Sequence, residues 1–309
     1  IMSSKFIKLL KIKKGIWYFS LFLILFSLIG ILFSSFYKPI KKPINLGMDF
    51  VGGNEIRIER ICNESCSEIT TDILLQKIKD ISSDKTLINN IRLQVQNDNK
   101  LISIRTPFIK INKSEELIEN INEIIGPLDF GSKNSRSVGP KLGKDLLVNG
   151  LSSLAISLVA ISLYLSVRFD KKFSILALTA LFHDLFIVFG CFSWLGIILS
   201  VEVNSLFAVA LLTIAGYSVN DTVVIFDRIR ENNKSKKYNN FNESIEVSVN
   251  ESLRRTLFTS LTTLIPLLTL ILFGSYSLFW FSIALAIGII VGSYSSILLA
   301  PSFLIEDSK

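Results

Sequence analysis

Hydrophobic residues gather along the chain into six long blocks, and polar residues fill the segments between them. Each block is about 20 residues long, the length that an α-helix needs to cross roughly 30 Å of hydrocarbon. The pattern predicts a polytopic α-helical membrane protein with six transmembrane helices. The predicted helices occupy residues 16–37, 146–167, 173–197, 205–226, 256–273 and 278–303.

A polar insert, residues 38–145, separates the first two blocks. Apolar residues recur in it alternately at every second position, as in half-buried strands, and at helical spacing. The predicted order is β-α-β-β-α-β, an α+β domain of the ferredoxin-like kind. The predicted strands contain Ile56 and Ile58, Ile91 to Val95, Ile102 and Ile104, and Leu128 to Val138, and the predicted helices contain Ile69 to Ile81 and Ser114 to Ile125.

Basic residues flank alternate connections between the blocks, and Lys and Arg are retained on the cytoplasmic side of a membrane. Lysines precede the first block, whereas the short connections 199–204 and 274–277 contain no Lys or Arg. We therefore expect both termini, residues 1–15 and 304–309, and the loop 227–255 to be cytoplasmic, and the insert 38–145 to be extracytoplasmic. The net charge of +7 is then explained by the basic residues that orient the chain in the membrane, and no nucleic-acid partner is predicted.

Asp221 places a carboxyl group inside the fourth apolar block. Acids within a membrane are costly, and by default they face a protein interior or a wet cavity where they handle protons or ions. Arg255 begins the fifth block, so antiparallel packing of the two helices can bring it near Asp221. We interpret the two as a proton relay. The alternative is that Asp221 is a permanently bridged acid that holds helices together.

Other polar residues in the apolar blocks are weaker candidates for the same site. His183 and Asp184 are adjacent, so on a helix they should point about 100° apart and share no partner. Small polar side chains join membrane helices or line a water path. The supporting candidates of this second kind are Asn220, Thr222 and Thr263.

Two further groups lie in or beside the insert. Gly52 and Gly53 follow Asp49 and Phe50, and we expect the glycines to form a tight turn, with a hinge as the alternative. Cys62 and Cys66 can form a disulfide in an oxidising compartment or remain free thiols.

Several segments resemble the SecF members of the SecD/SecF family, within the resistance-nodulation-division superfamily. Together they cover nearly the whole chain in order. They are Leu46 to Gly53, Val138 to Pro140, Arg168 with Phe169, His183 with Asp184, Gly216 to Thr222, Asp227 to Asn232, Asn250 to Thr256, Thr259 to Thr263, and Ser293 to Ser296.

The resemblance implies a subunit of the bacterial inner membrane that works with SecD beside the SecY/SecE/SecG translocon and the surrounding lipids. It implies that the proton motive force is used to promote export of preproteins, with Asp221 and Arg255 in the relay. The sequence holds no P-loop and no zinc-type cluster, so we expect neither an enzyme nor a cofactor or metal site. Two alternatives are a small-molecule exporter subunit of the same superfamily and a passive assembly subunit.

Overall fold

The computed structural model of the chain describes residues 8–38, 40–62, 91–96, 99–108, 118–119, 121–122, 126–235, 238 and 240–305. The chain divides into two compact units, one formed by Ile1–Asn45 with Gly150–Lys309 and the other by Leu46–Asn149. Its helices are α1 (Leu9–Phe36), α2 (Met48–Val51), α3 (Pro140–Arg168), α4 (Lys171–Ile198), α5 (Ser205–Lys234), α6 (Phe241–Phe273) and α7 (Tyr276–Tyr294).

Six helical spans in the described part of the chain are long and apolar enough to cross a bilayer, as predicted. More than half of the apolar window is buried in α4, in α5 and in the last span. The windows of α1, α3 and α6 are mostly exposed. Because a membrane solvates exposed Leu, Ile and Phe, the outer helices can remain apolar on their outward faces.

The last span is not the uninterrupted α-helix that the sequence predicts for residues 278–303. After α7 the chain forms a π-helical segment, Ser295–Leu299, and then a final α-helical turn, Ala300–Ser302. We call Ser295–Leu299 the π segment. Such wide turns are rare and occur mostly as single turns inside α-helices, frequently at functional sites. Here the wide turn coincides with two buried serines, Ser295 and Ser296.

Most of residues 227–255, expected from the sequence to be a loop, is helical because α5 and α6 both extend into it. Polar contacts join the two extensions. Arg228 Nε donates to Glu251 Oε2 at 2.7 Å, and Asn232 Nδ2 donates to Ser248 Oγ at 2.9 Å. These hydrogen bonds join the extensions of α5 and α6. Hydrophobic periodicity in the sequence does not predict them.

The second unit contains an antiparallel sheet of β1 (Gly53–Arg60), β2 (Arg92–Gln96), β3 (Leu101–Thr106) and β4 (Leu128–Val138), in the order β2-β3-β1-β4. The strands lie where the alternating pattern predicts them. Their inward residues form one apolar core, which also includes Ile118 and Ile121. The predicted helix over residues 69–81 lies outside the described residues, as does most of the helix predicted for 114–125.

Candidate functional site

Helix α5 presents two different polar faces to its neighbours. Residues four apart lie on the same side of an α-helix, so Ser218 and Thr222 share one face, and Tyr217 and Asp221 share another about 100° away. Ser218, Asp221 and Thr222 are all buried. The helix contacts α4, α6, α7 and the π segment. Each polar face therefore meets a different set of partners.

The first face lies against a buried network around Asp184 of α4. Asp184 Oδ1 is hydrogen-bonded to His183 Nδ1 at 2.9 Å, and His183 Nε2 is bonded to Ser20 Oγ of α1 at 2.8 Å. Asp184 Oδ2 accepts hydrogen bonds from Ser218 Oγ at 2.6 Å and from Ser295 Oγ at 2.7 Å. Both carboxyl oxygens are thus occupied, and the network joins α1, α4, α5 and the π segment.

A second contact ties α5 to the π segment one turn further along. Thr222 Oγ1 and Ser296 Oγ are 2.8 Å apart, and Ser296 Oγ also donates to the carbonyl oxygen of Ser218 at 3.3 Å. The π segment is therefore fixed by side chains from two other helices.

The second face of α5 carries Asp221, and the environment of this acid is different. Asp221 is 3 % exposed, and its Oδ2 atom has no hydrogen-bond partner among the described residues. Arg255, an exposed residue of α6, lies close enough to act on Asp221 electrostatically, as does Tyr217. A buried acid without hydrogen bonds calls for an explanation, because most buried polar atoms in proteins have partners.

A chain of hydroxyl groups borders Asp221. Tyr217 donates to Ser260 Oγ of α6 at 3.1 Å, and Ser260 Oγ lies 2.6 Å from Ser293 Oγ of α7. Thr263 lies near the Tyr217 side chain, and its hydroxyl donates to the carbonyl oxygen of Thr259 at 2.9 Å. Together these hydroxyls form a polar strip between α5, α6 and α7 beside the carboxyl group.

The structure brings together only some of the residues predicted from the sequence. His183 and Asp184 were expected to point apart without a common partner. Their other hydrogen-bond partners do differ, but the two side chains also bind each other. Thr222 and Thr263 lie in the two networks just described. Asn220 is exposed. Sequence reasoning missed Ser218, Ser295 and Ser296, although the run of serines in the last apolar block was a visible signal.

The glycine segment belongs to the second unit. Gly52 and Gly53 have φ values of +81° and +145°, and a Cβ at Gly52 would lie 2.9 Å from the Cα of Pro140, at the start of α3. Asp49 is buried and forms an ion pair with Arg136 of β4 at 3.2 Å. The start of β1 is therefore packed against the end of β4 and the residues that follow it. Phe50, next to Asp49, is also buried.

Two cysteines are described. Cys62 is disulfide-bonded, whereas Cys191 in α4 carries a free thiol. Cys66 lies outside the described residues. Within the described part of the chain, no group of three or more His, Cys, Asp or Glu side chains is arranged to hold a metal ion. The carboxyl group of Asp221 can bind a proton.

Comparisons with known proteins agree with the resemblance noted in the sequence. The family model described as "Protein export membrane protein SecD/SecF, C-terminal" matches residues 117–308. The protein translocase subunit SecF of Prochlorococcus marinus is 48 % identical over 296 residues, which cover 94 % of this chain and 92 % of that protein. The subunit of the same name from Synechocystis is 39 % identical over 292 residues, covering 94 % and 91 %.

A solved structure is also similar. The crystal structure of SecDF, a translocon-associated membrane protein from Thermus thermophilus, matches with a TM-score of 0.80 and 27 % identity. The match covers 98 % of this chain but only 39 % of that longer chain. Sequence and structure therefore agree, and the chain belongs to the SecD/SecF family of protein export membrane proteins, among its SecF members.

Proposed function

We propose that the chain is an accessory subunit of the Sec preprotein translocase that works with SecD and uses the proton motive force to promote export across the cytoplasmic membrane. Membership of the SecF group supports the translocation role, since its relatives are named as translocase subunits. The 39 % coverage of the SecDF chain supports a partner, because that protein carries a large further portion that this chain does not match. We propose that SecD supplies it, and that SecY, SecE and SecG hold the preprotein.

The use of protons rests on one observation, the buried Oδ2 atom of Asp221, which has no hydrogen-bond partner among the described residues. That oxygen loses no described partner when the acid gains or releases a proton. Burial favours the protonated acid, whereas the positive charge of Arg255 favours the carboxylate. A change in the position or solvation of Arg255 would therefore switch Asp221 between the two forms, which is what a relay needs. His183, Asp184 and Thr222 would support the relay by fixing α5.

The insert is proposed to be a ferredoxin-like domain on the outer side. In that fold, β1 and β2 are parallel with β3 between them, and β3 and β4 are parallel with β1 between them. The observed antiparallel order β2-β3-β1-β4 is the order that this arrangement requires. The bonded state of Cys62 supports an oxidising compartment. We infer cytoplasmic termini from the basic residues, and we propose that Gly52 and Gly53 form a tight turn, which their positive φ values support.

Preprotein export from inverted vesicles, measured with and without an uncoupler after ATP-driven entry is complete, tests the relay. We expect Asp221→Asn to assemble normally and to reduce export to the level of uncoupled vesicles. The amide has the same size but cannot carry the proton. Asp227→Asn is the matched control, because Asp227 lies on the same helix and pairs with Arg168 instead. This control should keep the uncoupler-sensitive fraction.

Arg255 provides graded variants in the same assay. Arg255→Lys retains the charge but lacks the planar guanidinium, so partial loss is expected. Arg255→Ala removes the charge that favours the carboxylate and should lose more. If Asp221→Asn retains uncoupler-sensitive export, the relay is wrong and the chain is a passive assembly subunit in which Asp221 only holds helices together.

A further inference from the structure

A groove runs between α6 and α7 on the membrane surface of the bundle. Its volume is about 440 Å³, and seven of its ten lining residues are Leu or Ile. Leu257, Leu261 and Ile290 stand on its rims and are more than half exposed. The floor contains Ser260 and Ser293, the hydroxyl pair that continues to Tyr217. The groove therefore opens sideways toward lipid and ends on the polar strip beside Asp221.

The groove is about as long, along the helix axis, as one leaflet of hydrocarbon is thick. Along α6 its lining residues run from Leu253 to Leu264, which is about 16 Å at the rise of an α-helix. The hydrocarbon core is about 30 Å thick, so this length is about half of it. A transmembrane helix of a partner would need a track across the whole thickness. One acyl chain needs a groove only as long as one leaflet is thick.

A positive charge stands at the end of the groove nearest the α5–α6 connection. Arg254 follows the lining residue Leu253 and shares the face of α6 on which Leu257 and Leu261 lie. Its guanidinium is held 5.5 Å from the ring centroid of Phe258. Within the described part of the chain Arg254 has no ion pair, so its charge is available to an external anion. Basic side chains at the ends of membrane helices bind lipid headgroups in this way.

We propose that this groove binds one acyl chain of an anionic phospholipid from the leaflet on the side of the α5–α6 connection, with the lipid phosphate against Arg254. The occupant would cover the Ser260–Ser293 pair and shield the polar strip from the rest of the hydrocarbon. The proposal depends on the groove and the charge alone, and it holds whether or not Asp221 carries protons.

The test measures lipid retained by the full chain, with any co-purifying partner, after extraction from vesicles of equal phosphatidylglycerol and phosphatidylcholine. Native mass spectrometry should find one phosphatidylglycerol retained in preference to phosphatidylcholine. Leu261→Trp fills the groove and should abolish retention. Ile265→Trp is the matched control, because Ile265 is equally exposed on α6 but does not line the groove. Arg254→Gln should reduce the preference for phosphatidylglycerol about fivefold, and Arg254→Lys should restore most of it.

A photoreactive residue at position 261 gives a second readout that does not depend on a bulky substitution. It should form adducts with lipid. Adducts with a partner protein would show that a helix covers the groove and would overturn the proposal. Equal retention by the Leu261→Trp and Ile265→Trp variants would also overturn it. Retention of the two phospholipids without preference would refute the role of Arg254 and with it the anionic class of the lipid.

Discussion

Asp184 and Asp221 are both buried acids of the helical bundle, yet their surroundings differ. Asp184 receives hydrogen bonds at both oxygens, from His183, Ser218 and Ser295. Asp221 lies on another face of α5, and its Oδ2 has no partner among the described residues. Replacing Asp184 would remove several hydrogen bonds at once, whereas replacing Asp221 would remove none at that oxygen. Asp184 therefore joins helices, whereas the surroundings of Asp221 fit the relay proposed above.

The comparison also explains why one helix can serve both purposes. Ser218 and Thr222 attach α5 to α4 and the π segment, and this attachment holds the helix while Asp221 lies on a different face of it. A fully satisfied polar network makes a core rigid. The bonds on this face then hold α5 in place, so the Oδ2 atom of Asp221 on the neighbouring face can lack a described partner without loss of the fold.

The largest effect expected from this contrast is on stability. Asp184→Asn places an amide where a carboxylate accepts hydrogen bonds from three side chains. We expect the free energy of unfolding to fall by about 2 kcal/mol, the usual cost of a lost hydrogen bond to a charged group. Thermal unfolding in detergent, followed by size-exclusion chromatography, measures it. Asp221→Asn is the matched variant and should stay within about 0.5 kcal/mol of the parent. If the free energy of unfolding falls equally in the two variants, the proposed difference between Asp184 and Asp221 is wrong.

A smaller effect is expected from the π segment. Ser295→Ala removes the hydrogen bond to Asp184 Oδ2, which should cost about 1 kcal/mol. Ser282 of the same span supplies a sharp control, because it is fully buried and its hydroxyl has no partner within the described residues. Ser282→Ala should be neutral or slightly stabilising in the same thermal assay. If the two serine variants lose the same stability, the bond to Asp184 contributes nothing.

The smallest effect concerns a satisfied carboxylate outside the membrane. Glu55 of β1 accepts hydrogen bonds from Arg105 and Arg57. Burial raises the pKa of Glu55, but the charges and hydrogen bonds of Arg105 and Arg57 outweigh it and hold the pKa below its usual range. The stabilisation is therefore present above the pKa of the unfolded state and is lost as pH falls through the lower folded value.

Hydrogen exchange of the full chain can detect this loss. Amides of β1 and β3 should lose protection on acidification by up to about 1 kcal/mol, the upper range for a cross-strand charged pair. Glu55→Gln should show reduced protection at neutral pH and little further change in acid. Comparing the parent with this variant at each pH cancels the intrinsic pH dependence of exchange. An identical acid response in the parent and the variant would show that Glu55 does not carry the effect.

Sequence reasoning located much of this molecule. The spans were predictable because hydrocarbon demands long apolar helices, and the strands because one face of the sheet is buried while the other is not. Asp221 was identifiable because an acid in an apolar block is rare. The hydrogen bond between His183 and Asp184 was not predicted, since an estimate of helical angles ignores the rotation of each side chain about its own bonds.

By itself the sequence determined the number of spans, the sheet strands and the family, and it identified Asp221 as the candidate acid, because each depends on local composition or on contiguous motifs. Only the tertiary structure decided which acid is satisfied, where the π segment forms and that a groove lies over the polar strip. Those features depend on side chains far apart in the chain. Ser20 and His183 are 163 residues apart, and Asp184 and Ser295 are 111 apart. Helix packing determines which residues so far apart in sequence become hydrogen-bond partners, and no local sequence pattern predicts them.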